Sequence, residues 1–274
     1  MNSKPIGIFD SGYGGLTIFG QIRDLLPQYD YLYLGDNARA PYGSRSFEVV
    51  YQFTLQAVQH LFNAGCPLVI LACNTSSAKA LRTIQQCDLP HIAPDRRVLG
   101  VIRPTVEVVD RLSRTKHVGI LGTTGTITSQ SYRLEIAKLF PHITVTGEAC
   151  PMWVPLVENR EYDTPGADYF VKKHIDNLLQ QDSKIDTIIL GCTHYPLLQD
   201  KIKQYLPDGI TVFEQGKQVA ESLKDYLFRH PEIDSRLTKR QNVSFQTTES
   251  VAKFSEMAML FLQQPINATQ VLLG

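Results

Sequence analysis

The chain has 274 residues, 43% of them hydrophobic and 20% charged, an ordinary globular composition and long enough for two domains. Its 27 Lys and Arg balance its 27 Asp and Glu, which argues against nucleic acid or an anionic membrane as its main partner. No apolar stretch approaches the roughly 18 residues of a membrane span, and MNSKPIGIFDSG lacks the cationic segment and apolar core of a signal peptide, so none is expected.

The first element is IGIFD, a strand over 6–10, followed by SGYGG and a helix over 16–26. Asp10 and Ser11 close that strand, and the glycines allow close approach of the backbone. A dinucleotide fingerprint fails here, because Thr17 stands where GxGxxG needs glycine. YLYLGD predicts a strand over 31–36 with Asp36 as a strand-end cap. APYG (40–43) then makes a turn, whose Tyr42 and Gly43 could hold a carboxylate. A helix over 46–64 leads to a strand over 68–73, ending in ACNTSS, and a helix over 76–87. Strands at 98–102, 117–122, 143–147, 187–192, 210–213 and 243–245 follow. Helices near 104–114, 129–140, 166–181, 196–206, 216–230 and 249–263 lie between and after them. This alternation reads as βαβ units around mostly parallel sheets, an α/β fold.

The chain repeats itself. IGIFDSGYGG (6–15) resembles VGILGTTGTI (118–127) at an offset of 112, and LVILACNT (68–75) resembles TIILGCTH (187–194) at 119. Two pseudo-symmetric domains are therefore expected, with a cleft between them: 1–97 plus 211–274, and 98–210. Each half carries one strand ending in a cysteine, Cys73 or Cys192.

Five cysteines at wide spacing, with no CxxC pair, speak against a disulfide framework or structural zinc and fit a reducing cytoplasm. In open parallel sheets ligands bind beyond the carboxyl ends of the strands. Cys73 and Cys192 sit at such ends, followed by helix-start residues Asn74, Thr75 and Ser76 in one case and Thr193 and His194 in the other. A helix start favours both a thiolate of lowered pKa and a bound carboxylate. Two thiols facing across a cleft suit racemisation, in which one removes a proton and the other delivers one to the opposite face. His194 reads as a cap or as an activator of Cys192. Glu158, in PLVENR, reads as a surface carboxylate or as an auxiliary. Cys66, Cys87 and Cys150 lack a strand-end context and read as structural; Trp153 reads as core.

DSGYGGLT, GDNARAPYG, LACNTSSA and LGCTHYPLL, in this order and spacing, resemble the cofactor-independent glutamate racemases of the aspartate/glutamate racemase superfamily, over roughly 5–265. The resemblance implies two α/β domains with the site between them, interconversion of L- and D-glutamate for peptidoglycan, and neither pyridoxal phosphate nor metal. It implies Cys73 and Cys192 as the acid/base pair, the first serving the D-enantiomer. It implies Asp10, Ser11, Tyr42, Gly43, Asn74, Thr75, Thr193 and His194 as the substrate-binding set; Asp36 and Glu158 are candidate auxiliaries beside them. Thr105 and Val106 depart from the Gly-Ala common in relatives. The expected partner is glutamate, with no nucleic acid and no membrane; a homodimer is one assembly open to the chain. An aspartate racemase and a non-catalytic two-lobed amino-acid-binding protein are the alternatives.

Overall fold

The computed structural model describes residues 4–274; the first three residues of the N-terminal stretch read above lie outside the described residues. Its strands are β1 (Ile6–Asp10), β2 (Tyr31–Gly35), β3 (Leu68–Leu71), β4 (Arg97–Gly100), β5 (His117–Gly122), β6 (Thr144–Ala149), β7 (Thr187–Gly191), β8 (Thr211–Phe213), β9 (Val243–Thr247) and β10 (Ala268–Gln270). They form two sheets of parallel pairs, ordered β10-β9-β2-β1-β3-β4 and β6-β5-β7-β8. Within the first sheet, β2-β1-β3-β4 repeats the order β6-β5-β7-β8 of the second. The internal repeat is thus a repeat of topology, to which the tail adds β9 and β10.

β1, β2, β3 and β7 are buried at every position, which explains their unbroken apolar runs. Alternate residues face opposite ways. Ile6, Ile8, Tyr31, Tyr33 and Ile70 pack on Phe19 and Ile22 of helix Gly15–Leu25. Phe9, Leu34, Val69 and Leu71 pack on Val50, Ala57 and Leu61 of helix Phe47–Asn63. That helix starts at Ser46, whose Oγ accepts from the Val49 amide at 3.3 Å, and its apolar stripe recurs every three or four residues. The second sheet is covered likewise, with Leu121, Ile188 and Leu190 on one face and Val118, Ile120 and Ile189 on the other.

Several expectations shift. The strands ending at the cysteines stop at Leu71 and Gly191, short of the thiols. Val98 lies on β4, paired with Val69 of the first sheet, and Thr211 lies on β8, paired with Thr187 of the second. The chain therefore crosses between the sheets at 101–116 and 214–215, later than the expected 97/98 and 210/211. The apolar pattern alone could not tell which sheet each edge strand joins. The helix expected over 76–87 begins at Asn74 and continues as a wide-turn segment Ile84–Asp88. Helix Trp153–Glu158 and β10 were not anticipated. Cys150 does follow a strand end, that of β6, but its side chain is buried. Cys87 is exposed rather than structural. No described helix is long and apolar enough to cross a membrane.

Candidate active site

Each sheet reverses its strand order beside its first strand, between β1 and β3 and between β5 and β7. Such a switch point leaves a crevice beyond the carboxyl ends. The loops leaving β1, β2 and β3 meet those leaving β5 and β7. The Gly125 amide donates to the Gly43 carbonyl at 2.7 Å, and Thr17 Oγ1 donates to the Thr193 carbonyl at 3.1 Å. Thr75 and Thr123 share a hydroxyl hydrogen bond of 2.9 Å. Gly14 is required by this approach: a methyl there would stand 2.4 Å from both Thr193 Oγ1 and His194 Nδ1. Gly14→Ala is expected to cost about 1–3 kcal/mol by overpacking and to lower Tm by about 3–10 °C, checked by calorimetry.

One cavity of about 100 Å³ results, on the scale of a single small bound molecule. Asp10, Ser11, Tyr42, Gly43, Cys73, Asn74, Thr75, Glu158, Cys192, Thr193 and His194 line it. Asp36 does not. It is wholly buried behind the loop and accepts from the Tyr42 hydroxyl and from Arg39 Nε. Tyr42 therefore offers the cavity its ring and backbone, not its phenol. Larger clefts of 350 and 660 Å³ contain neither thiol; the chemistry of the lining, not its volume, singles out this cavity.

The two thiols are served differently. Cys73 lies 3.2 Å from Ser11 Oγ, and its Sγ accepts from the Ser76 amide at 3.4 Å. Burial pushes the thiol up to about 11, the charge of Asp10 adds to this, and the hydrogen bonds from Ser11 and Ser76 oppose it. The lowered pKa expected from a helix start is thus overturned here, because the dehydration of a buried sulfur exceeds what a six-residue helix returns. Cys73 keeps its proton at neutral pH. Burial also raises the Asp10 carboxyl, against the opposing charge of His194 and the amides of Gly15 and Gly12.

Cys192 has no serine beside it. Its Sγ lies 3.8 Å from His194 Nδ1, and His194 Nε2 lies 2.9 Å from Glu158 Oε1. Burial alone would pull the imidazole down. The hydrogen bonds and charges of Cys192 and Glu158 outweigh it and push the imidazole up to about 10. A cation is therefore held between a sulfur and a carboxylate, so Glu158 is no bystander on the surface.

Three supporting residues lie outside the set expected from the sequence. Thr123 lines the cavity and matches Ser11 in the internal repeat, a signal the 112-residue offset contains. Gln215 and Tyr132 hold Asn74: its Nδ2 donates to Gln215 Oε1, and its Oδ1 accepts from the Tyr132 hydroxyl, each at 2.7 Å. Gln215 in turn donates to Thr105 Oγ1 at 2.8 Å and to the Tyr132 hydroxyl. Thr105, the departure from the common Gly-Ala, therefore reaches the site through one intermediary. Such side-chain partners come from segments far apart in the chain and leave no local pattern. Among the described residues no group of His, Cys, Asp and Glu has the geometry to hold a metal ion.

The profile of the Asp/Glu/Hydantoin racemase family matches residues 17–223. A glutamate racemase of Ruegeria sp. (strain TM1040) is 40% identical over 271 residues, covering 95% of this chain and 97% of the relative. The crystal structure of glutamate racemase isoform RacE1 from Bacillus anthracis superposes with a TM-score of 0.89 at 35% identity, covering 100% of this chain and 99% of the other. That of glutamate racemase from Francisella tularensis in complex with D-glutamate gives 0.88 at 32%, with the same coverage. Sheets of matching order, paired strand-end thiols and sequence similarity along nearly the whole length agree, and the chain belongs to the Asp/Glu/hydantoin racemase family.

Proposed function

We propose that this chain is a glutamate racemase, interconverting L- and D-glutamate by two cysteines. The observation that carries the reading is the lining of one small cavity by Cys73 and Cys192, each from the corresponding strand of a repeated sheet. In the L-to-D direction Cys192 takes the Cα proton while the bonding pair stays with carbon, as an enediolate of the α-carboxylate. Cys73 then gives its S–H proton to the opposite face and becomes the thiolate. The reverse direction exchanges the roles. Cys73, protonated at neutral pH, is the acid this first direction needs. The hydroxyls of Ser11, Thr75 and Thr193, the amide of Gly43 and the remaining Nδ2 hydrogen of Asn74 offer donors to the substrate carboxylates. Asp10 offers an acceptor for the substrate ammonium.

Because the thiols supply both acid and base, racemisation is expected to survive dialysis against EDTA with no cofactor added. Restoration by zinc or pyridoxal phosphate after such a loss would overturn the mechanism. The proposed role is supply of D-glutamate for peptidoglycan in the cytoplasm, where five free thiols stay reduced; a homodimer is the assembly to test by light scattering. The deciding experiment offers L-glutamate and L-aspartate side by side in D2O. Glutamate is expected to exchange its Cα hydrogen and invert. Exchange with aspartate alone would reassign the substrate, and exchange with neither would leave a binding protein.

A further inference from the structure

Residues 40–44 line the cavity yet follow only a single turn, Asn37–Arg39, and have no regular structure of their own. On one side they are tied to the Gly125 amide through the Gly43 carbonyl; on the other they are tied to Asp36. Its Oδ2 accepts from the Tyr42 hydroxyl and, at 2.6 Å, from Arg39 Nε. Its Oδ1 accepts from the hydroxyl of Thr248 at 2.9 Å. The same Thr248 oxygen accepts from the Ala38 amide at 3.0 Å, and the Thr248 amide donates to the Gly35 carbonyl at 3.0 Å. Arg39 is fixed in turn by Gln56 Oε1 at 2.5 Å and lies 4.1 Å over the Phe53 ring. The Tyr42 ring packs against Phe9 and Phe53.

A wholly buried carboxylate persists only if its oxygens are supplied with donors. Here they come from the loop itself, from the turn before it, and from a residue beyond the 17–223 segment that carries the family profile. We propose that Asp36 and Thr248 are positioning residues for glutamate binding: the C-terminal segment, through Thr248, anchors the substrate loop 40–44. Neither touches the substrate. Thr248 acts through Asp36, and Asp36 through Tyr42. The inference rests on reading the site as that of a glutamate racemase.

The test is a series at position 248. Thr248→Val is expected to raise KM for both enantiomers roughly tenfold, about 1.4 kcal/mol, with kcat changed less. Amide hydrogen exchange over 37–45, measured without substrate, should quicken. Thr248→Ser should return both readouts to wild type, since its hydroxyl gives and accepts the same two bonds. Should Thr248→Val not fold, Thr248→Ala is read in the same way. Tyr42→Phe removes another donor to the same carboxylate. Its combination with Thr248→Val should raise KM by less than the product of the single effects, as expected of residues sharing one partner. Unchanged KM, a Ser variant no better than Val, or multiplicative effects would each overturn the anchor. So would quicker exchange with KM unmoved, which would leave Thr248 a purely structural role. A wild-type protein inert toward glutamate would sink the proposed function instead, while the exchange readout would still decide whether Thr248 holds the loop.

Discussion

Cys73→Ser and Cys192→Ser are each expected to lower racemisation of both enantiomers by a factor on the order of 10³ or more, near the upper range of a single acid or base. Every turnover needs a base on one face of Cα and an acid on the other. A serine hydroxyl at either position is far too weak a base near neutral pH. The loss must also be equal in the two directions when expressed as kcat/KM. L- and D-glutamate are mirror images with equal free energy in water, so the equilibrium constant is unity and no substitution can favour one direction in kcat/KM. Overall kinetics therefore cannot say which thiol serves which face.

A one-sided reaction can. A glutamate analogue with a chloride on the β-carbon loses HCl once the Cα proton is removed: the C–H pair forms the new double bond and chloride departs with its own pair. Only a base on one face is needed. Cys73→Ser is expected to retain elimination from the L-analogue through Cys192, and Cys192→Ser to retain it from the D-analogue through Cys73. Equal loss of both eliminations in both variants, or near-normal racemisation in either, would end the assignment of one thiol to each face.

Much of this arrangement is legible in the sequence. Parallel strands covered on both faces are apolar along nearly their whole length, so LVIL and IIL stand out, and a thiol placed just beyond such a run lies at the open end of a sheet. The repeat was legible for the same reason, because two sheets of like order need like strands at like intervals. What escaped depends on contacts across the sheets. The helix start after Cys73 was visible, but the burial that overrides it arises only in the folded site and leaves no local pattern. Asp36 looked like a cap in a motif that also contains Tyr42, yet its third donor, Thr248, lies 212 residues away. Glu158 ends an apolar stretch, as many surface glutamates do; only the folded position of His194, 36 residues later, gives it a partner. Edge strands β4 and β8 join the sheets opposite to those expected, since which sheet an edge strand joins depends on where the chain crosses in the fold and not on the strand's own composition.

His194→Gln removes the cation beside Cys192, and racemisation is expected to fall by about 10²-fold. Elimination from the L-analogue should fall with it, while elimination from the D-analogue, served by Cys73, should stay within about threefold. The wild-type pH profile follows from the same geometry. His194 is raised from 6.5 to about 10, so its positive charge is present through neutral pH and is lost as pH climbs through that higher value. Activity is thus expected to hold to about pH 9 and then decline, with one profile of kcat/KM for both enantiomers. The stabilisation from the Cys192–His194–Glu158 chain has the same sign: fully present below pH 6.5, lost as pH rises toward about 10. Glu158→Gln removes one of the two groups that hold the imidazole up. It should therefore move the alkaline decline to lower pH, besides lowering kcat. A Glu158→Gln enzyme that is slower but keeps the wild-type alkaline limb would show that Glu158 acts by some route other than His194.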